Sequence, residues 1–206
     1  HKLSSTCLAV APVIGNTTPN AGTFTTLTIA ANSSLVGVTV ERGVLDALVE
    51  NKHAIVADGG LVVLTAKGLD QVMATVVNNT GEVRAQTIGE KEGRIYLLGT
   101  GAQDRVAVAG KLDASAPTSG NGGFVETSAA RVSFAPDVQV TTRSAQGRHG
   151  TWLIDPNDFT IAASGGDITG ATLAANLANN NVLIESVNGG TSGNGDIFVN
   201  DDILKT

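Results

Sequence analysis

Aromatic residues are scarce in this chain, 3% of 206 residues, with one Trp and one Tyr. That excludes a core of stacked rings, so the interior must be assembled from Val, Ile, Leu and Ala within a hydrophobic fraction of 42%. Cysteine occurs once, at Cys7, which rules out an internal disulfide and reads as a free thiol near a terminus. No apolar run approaches the roughly 18 residues of a membrane span. Charged residues make up only 16%, and their balance gives a formal net charge of −6, which draws neither nucleic acid nor anionic membrane surfaces. Hairpin dipeptides between adjacent strands are missing as well. Asp58-Gly59 alone opens a strand, while Asn121-Gly122, Asn188-Gly189 and Asn194-Gly195 fall in long Gly/Ser/Thr loops.

What is present is a repeated unit: a Gly followed by a short run of alternating apolar and polar residues, then a polar turn. Gly60, Gly81, Gly93, Gly110, Gly123, Gly150, Gly166 and Gly195 each open such a run, and Arg105–Ala109 and the residues after Asn181 add two more. Openings recur about every 12 to 20 residues. Within Gly122–Ile161, residues Phe124, Val132, Phe134, Val138, Val140, Trp152 and Ile154 are the expected inward positions. A unit this short cannot bury its apolar face alone, and stacking units into a coil solves that. A sandwich or barrel would require the missing hairpins. The expectation is therefore an all-β solenoid of roughly five to seven coils, with Asn78 and Asn79 as candidates for an internal asparagine ladder.

Three segments carry helical spacing instead: Val44, Leu45, Leu48 and Val49; then Leu69, Val72, Met73, Val76 and Val77; then Thr169–Asn180 with Leu173 and Leu177. The first is the expected cap over an unpaired edge strand, and inserted helices are expected on the outer wall. Residues 1–37 stand apart as an amino-terminal extension, Thr-rich and holding two of the five prolines, ahead of a domain spanning 38–206. The chain opens on His1 rather than Met, which reads as an excised or processed piece.

Two stretches resemble known families. Ile14–Thr28, IGNTTPNAGTFTTLT, resembles a segment of phage tail-fibre and tail-spike proteins at the start of a trimeric β-structured shaft. The alternative is a polar extension pairing one strand onto the domain edge. ADGGLVVLTAKG (57–68), VVNNTGEVRAQTIG (76–89), AGKLDASAP (109–117), GNGGFVETSAARVSF (120–134) and GTWLIDPNDFTI (150–161), with SGNGDIFVN (192–200), resemble the two-partner-secretion exoproteins, the filamentous haemagglutinin-like adhesins of Gram-negative bacteria. That resemblance implies a right-handed parallel β-helix with short capping or inserted helices. It also implies export through an outer-membrane transporter, a secreted or cell-surface location, and attachment to a glycan or protein on a host or neighbouring cell. The amino-terminal secretion region with NPN-type motifs is not in these residues. Oligomeric state stays open between monomer and trimer.

Chemistry-bearing motifs are thin. Asp155-Pro156-Asn157-Asp158 reads as a Pro turn whose Asp and Asn bond the local backbone, because a glycosidase needs carboxylates held across a cleft rather than within one turn. Ser192–Ile197 lacks the tandem spacing of a Ca²⁺-binding nonapeptide, and Asp196, Asp201 and Asp202 read as loop carboxylates with at most an incidental Ca²⁺ site. His53 and His149 have no second ligand at zinc spacing. Ser115, Ser119 and Ser128 sit in Ser/Thr-rich turns without a nucleophile elbow, and no phosphate-cradling Gly motif occurs. Thr23, Thr25, Thr26 and Thr28 lie on one segment and cannot form the multi-coil array of an ice-binding face. The sequence thus assigns no catalytic, cofactor-binding or metal-binding residue, and points to a non-enzymatic adhesive rod. Its rivals are a trimeric tail-fibre structural protein and a β-helical polysaccharide lyase or hydrolase.

Overall fold

The computed structural model describes residues 26–28, 35–40, 48–66, 76–186 and 193–204, the first two stretches as backbone alone. Among these residues the chain forms one helix and seventeen strands. Strand β1 is Thr26–Thr28; β2 (Leu35–Val40), β3 (Leu48–Asn51) and β4 (Ala54–Val56) complete the first turn. The three-strand series recurs as β5 (Leu61–Ala66), β6 (Val76–Asn79) and β7 (Glu82–Arg84). It recurs again as β8 (Arg94–Gly99), β9 (Arg105–Val108) and β10 (Lys111–Asp113), then as β11 (Phe124–Ser128), β12 (Arg131–Phe134) and β13 (Gln139–Thr141). After β14 (Thr151–Asp155) and β15 (Phe159–Ile161), helix α1 (Gly170–Leu177) takes the place of a third strand, and β16 (Asn181–Ile184) and β17 (Ile197–Val199) follow.

Among the described strands, pairing runs from turn to turn and not within one. The sheet orders are β16-β14-β11-β8-β5-β2, β1-β4-β7-β10-β13, β12-β9-β6-β3 and β15-β17, and every strand pair is parallel. The chain is a β-solenoid of about four turns, not five to seven. Val62 lies opposite Ile95 and Ile95 opposite Val125, offsets of 33 and 30 residues, so each turn consumes two or three of the Gly-led openings. Pairing also begins inside the extension set apart by composition, since β1 pairs with β4.

Register stacks like on like. Val62, Ile95, Val125 and Trp152 form one buried column; Leu64, Leu97, Thr127 and Ile154 form the next; Ile55, Val83, Leu112 and Val140 line the opposite wall. Each such side chain contributes roughly 1.5–3 kcal/mol, more than the 0.5–1.5 kcal/mol net of a ladder hydrogen bond. Burial therefore supplies most of the stability and the ladder supplies the alignment. Val132, Val138, Val140, Trp152 and Ile154 point inward as expected. Phe124 does not: it shares a strand face with Glu126, two residues on, and lies outside against Tyr96 with ring centroids 5.6 Å apart. Phe134 is half-buried, edge-on to Trp152 at 5.0 Å. The Trp152 indole donates to Thr127 Oγ1 at 3.2 Å, and that hydroxyl donates to Leu153 O at 3.2 Å, so the inward polar pair is satisfied.

The Gly-led openings have a steric cause. Gly93, Gly123 and Gly150 stack turn over turn at the corner entering the six-stranded sheet, where Phe124 N donates to Gly93 O and Thr151 N to Gly123 O. A Cβ on Gly123 would collide with Gly93 O, and one on Gly150 with Gly123 O, so no larger residue fits this corner.

The asparagine ladder has two rungs, Asn51 and Asn79. Asn51 Nδ2 donates to Asn79 Oδ1 at 2.7 Å, and Asn79 Nδ2 to Gly81 O at 3.0 Å. Asn78 lies on the outer face, where its Nδ2 donates to Glu50 Oε1, and so is not part of the ladder. The first two expected helices are corrected where they are described: Leu48 and Val49 belong to β3, Val76 and Val77 to β6. Val44, Leu45, Leu69, Val72 and Met73 lie outside the described residues. The third forms, capped by Thr169, whose hydroxyl accepts from Thr172 N.

That helix, rather than the first, covers an edge strand. Asn176 Oδ1 accepts from Val140 N at 2.7 Å and its Nδ2 donates to Val138 O at 3.1 Å. Three residues past the end of α1, Asn180 Oδ1 accepts from Thr142 N at 2.7 Å and its Nδ2 donates to Val140 O at 2.7 Å. Asn180 Nδ2 also donates to Asn176 O at 2.7 Å, which fixes the two carboxamides relative to each other. The two carboxamides consequently stand in for the peptide groups of a missing strand. Asn176→Ala removes the acceptor of Val140 N and the donor to Val138 O, whereas Asn180→Ala removes the donor to Val140 O but leaves Thr142 N with Asn179 O at 3.3 Å; we expect the first to cost about 1–3 kcal/mol in urea unfolding and the second less. The double variant is expected to self-associate through the opened edge; unchanged midpoints and an unchanged sedimentation profile would contradict the assignment.

Candidate functional site

Outward side chains also fall in columns, and the three faces treat charge differently. On the five-stranded sheet Lys111 Nζ lies 3.2 Å from Glu82 Oε1 and 3.0 Å from Asp113 Oδ2, while Arg84 holds Asp58 through Nε at 3.1 Å and Nη2 at 2.8 Å. Asp113 is buried, which alone would raise its carboxyl. The Ser115 hydroxyl at 2.6 Å, Lys111 and the Ser115 amide more than offset this and hold it below the ordinary carboxylate range. This face is internally satisfied. The six-stranded sheet carries a mixed apolar strip instead, with Tyr96, Phe124, Leu153 and Leu183 pointing outward around Glu126, whose Oε1 accepts from Ser128 Oγ at 3.0 Å.

The four-stranded sheet differs again. Arg131 lies directly opposite Arg105, both exposed, and no salt bridge among the described residues engages either guanidinium. Beyond β12 the ladder breaks: only Asn157 N to Ala130 O at 3.3 Å and Phe134 N to Asp167 O at 2.8 Å continue it. A cleft of about 300 Å³ opens at that break, lined by Arg131, Asn157, Asp158, Thr160, Asp167 and Gly193 among others.

Asp158 does not bond its local backbone as the turn reading expects. Its Oδ1 accepts from the amides of Asn194, Gly195 and Asp196 at 2.8, 2.9 and 3.0 Å, tying the loop before β17 to the cleft wall. The amides of Asp196, Asn194 and Gly195 hold its carboxyl below the ordinary value. Asp167 shifts the other way: burial raises it, against the opposing pull of the Thr160 amide at 2.8 Å and the Arg131 charge. The arrangement can contact hydroxyls and anions through groups of both signs, but each carboxylate already has one oxygen committed to backbone N–H groups.

The remaining sequence candidates are dispersed. His149 Nδ1 accepts from Ser144 N at 3.0 Å on an exposed loop, and His53 is exposed elsewhere. Ser115 and Ser128 donate to Asp113 and Glu126, and Ser119 sits on a loop. Asp201 Oδ2 accepts from Gly170 N at 2.7 Å, at the start of α1. Among the described residues no three His, Cys, Asp or Glu side chains gather around a common point, and no helix is long and apolar enough to cross a membrane. Thr23 and Thr25 lie outside the described residues. Sequence reading missed Arg105, Arg131 and Asp167. A signal existed for the first two, because RVAV and RVSF both open on Arg-Val and stack only if Arg meets Arg.

The opposed shifts make a measurable pair. A depressed carboxyl such as Asp158 adds stability that is present above its unfolded value and lost as pH falls through its folded one. A raised carboxyl such as Asp167 adds stability at low pH that is lost as pH rises through its folded value. In a carbon-13 titration of the side-chain carboxyls, the two midpoints should fall on opposite sides of the ordinary aspartate value; coincident midpoints would contradict the geometry described.

Comparison with family models, with curated proteins and with solved structures found no match to this chain.

Proposed function

We propose that this chain is a non-enzymatic structural and adhesive segment of a secreted bacterial surface exoprotein, a stiff β-helical rod that attaches by a lateral face to cells or matrix. The observation that carries the reading is the way coil stacking fixes outward residues in axial columns, one of which ends in two arginines without salt-bridge partners among the described residues, beside a polar cleft. A rigid array of that kind suits repeated contacts with an extended surface better than it suits enclosure of a small molecule. The resemblance of GNGGFVETSAARVSF and GTWLIDPNDFTI to two-partner-secretion exoproteins supports the same reading, with an outer-membrane transporter as the partner of the full-length protein and the Gram-negative cell surface or medium as its location.

One observation favours a second reading, a β-helical polysaccharide lyase or hydrolase: Arg131, Asp158 and Asp167 meet in one cleft although they are distant in sequence. The trimeric tail-fibre reading rests on Ile14–Thr28, of which only Thr26–Thr28 are described. The adhesive reading predicts saturable attachment of the purified chain to at least one surface in a panel of epithelial, bacterial and matrix-coated substrates, with no unsaturated product from uronic-acid polymers in the presence of Ca²⁺. Absence of attachment across the panel would overturn it, and product formation would put the lyase in its place.

A further inference from the structure

The charge pattern of the rod is broken at one place. On the five-stranded sheet neighbouring turns set Glu82, Lys111 and Asp113 so that each charge meets its opposite, and Arg84 is gripped by Asp58. On the four-stranded sheet Arg131 is set against Arg105 instead, one rung or about 4.8 Å along the axis. Like charges directly opposite destabilise a sheet. Both side chains spring from strands whose inward neighbours Val106 and Val132 are fully buried, so the two arginines are fixed at their roots on adjoining rungs, with their side chains exposed.

An anion laid across both forks removes the repulsion, and its chemistry is narrowed by what adjoins it. Arg131 is itself part of the cleft wall, so a group on the arginines runs on into a space of about 300 Å³ faced by Asp167 and Thr160. Carboxylate and hydroxyl groups recognise sugar hydroxyls, whereas a bare polyanion would meet Asp158 and Asp167 as repelling charges. The combination fits a chain that carries acidic groups and hydroxyls together.

Resting on the adhesive reading and specifying its partner, we propose that Arg105 and Arg131 are the carboxylate subsite of a face that binds an acidic, uronate-containing polysaccharide running along the coil axis, with hydroxyls of the adjoining sugar held in the cleft against Asp167 and Thr160. The guanidinium forks pair the carboxylates, and successive sugars engage successive rungs. The net charge of −6 provides no long-range attraction for such a chain, so recognition depends on these short-range contacts.

The test is calorimetric titration of the full chain with a polygalacturonate oligomer, its methyl-esterified counterpart, and a sulfated neutral oligosaccharide of similar length. Binding is expected for the uronate alone. Arg105→Ala and Arg131→Ala should each weaken it by about tenfold, and the double variant should abolish it, with no loss of thermal stability because both side chains are exposed and their mutual repulsion is removed. Arg143→Ala, which removes an exposed arginine after β13, should bind as the unaltered chain does. Binding of the ester, preference for the sulfated probe, equal loss in the Arg143 variant, or full affinity in the double variant would each overturn the proposal. Surface attachment that survives in the double variant would overturn this subsite while leaving the adhesive reading in place; failure of the unaltered chain to attach anywhere would overturn that reading itself.

Discussion

The parallel hydrogen-bond ladder between successive turns is the constraint on which everything else in this molecule depends. Arg94 N to Gly60 O, Phe124 N to Gly93 O and Thr151 N to Gly123 O repeat one bond at one corner over three turns. Because the ladder holds rungs about 4.8 Å apart, equivalent positions sit directly over one another. Interior residues must therefore be compatible with their own neighbours in the column. Aliphatic side chains satisfy this at every turn, which is why a chain with so few rings can build a continuous core. Polar residues can enter only with a partner on the adjoining rung, as Asn51 does with Asn79 and Thr127 with Trp152.

A ladder also leaves ends. Asn176 on helix α1 and Asn180 just beyond it close the five-stranded edge, their carboxamides pairing with its free peptide groups. The other two faces at that end are treated differently. Ile197 and Val199 continue the interior column above buried Phe159 and Ile161, yet are 43% and 61% exposed. One edge is sealed by side-chain chemistry and two remain apolar and unpaired among the described residues. The same alignment that stacks the interior also stacks the exterior, so paired charges on one face, a ring-bearing strip on another and two arginines on the third all follow from register rather than from loops.

Much of the fold was legible because its devices are local. Gly before each strand, alternation of period two and the want of hairpin dipeptides together imply parallel stacking, and Thr169 with Leu173 and Leu177 marks the one described helix. The errors arose where two periods coincide. Leu48-Val49 and Val76-Val77 fit a helical stripe as well as they fit a strand; the strand prevails because it sets Asn79 upon Asn51. Phe124 was misplaced by parity, although Glu126 two residues on shares its face and could not be buried. The cleft was beyond reach, since only the register and the broken four-stranded ladder bring Arg131, Asp158 and Asp167 around one space. Counting openings overstated the turns, because each turn has more than one tight corner.

Native-state hydrogen exchange tests the central claim most directly, because a stack of turns opens from its ends inward whereas a sandwich or barrel opens as one unit. The stacked arrangement predicts the slowest exchange at amides of β8 and β11, which are paired on both sides, with protection falling turn by turn toward β2 at one end and toward β16 and β17 at the other. Uniform protection across all strands, or greatest protection at β16 and β17, would contradict it.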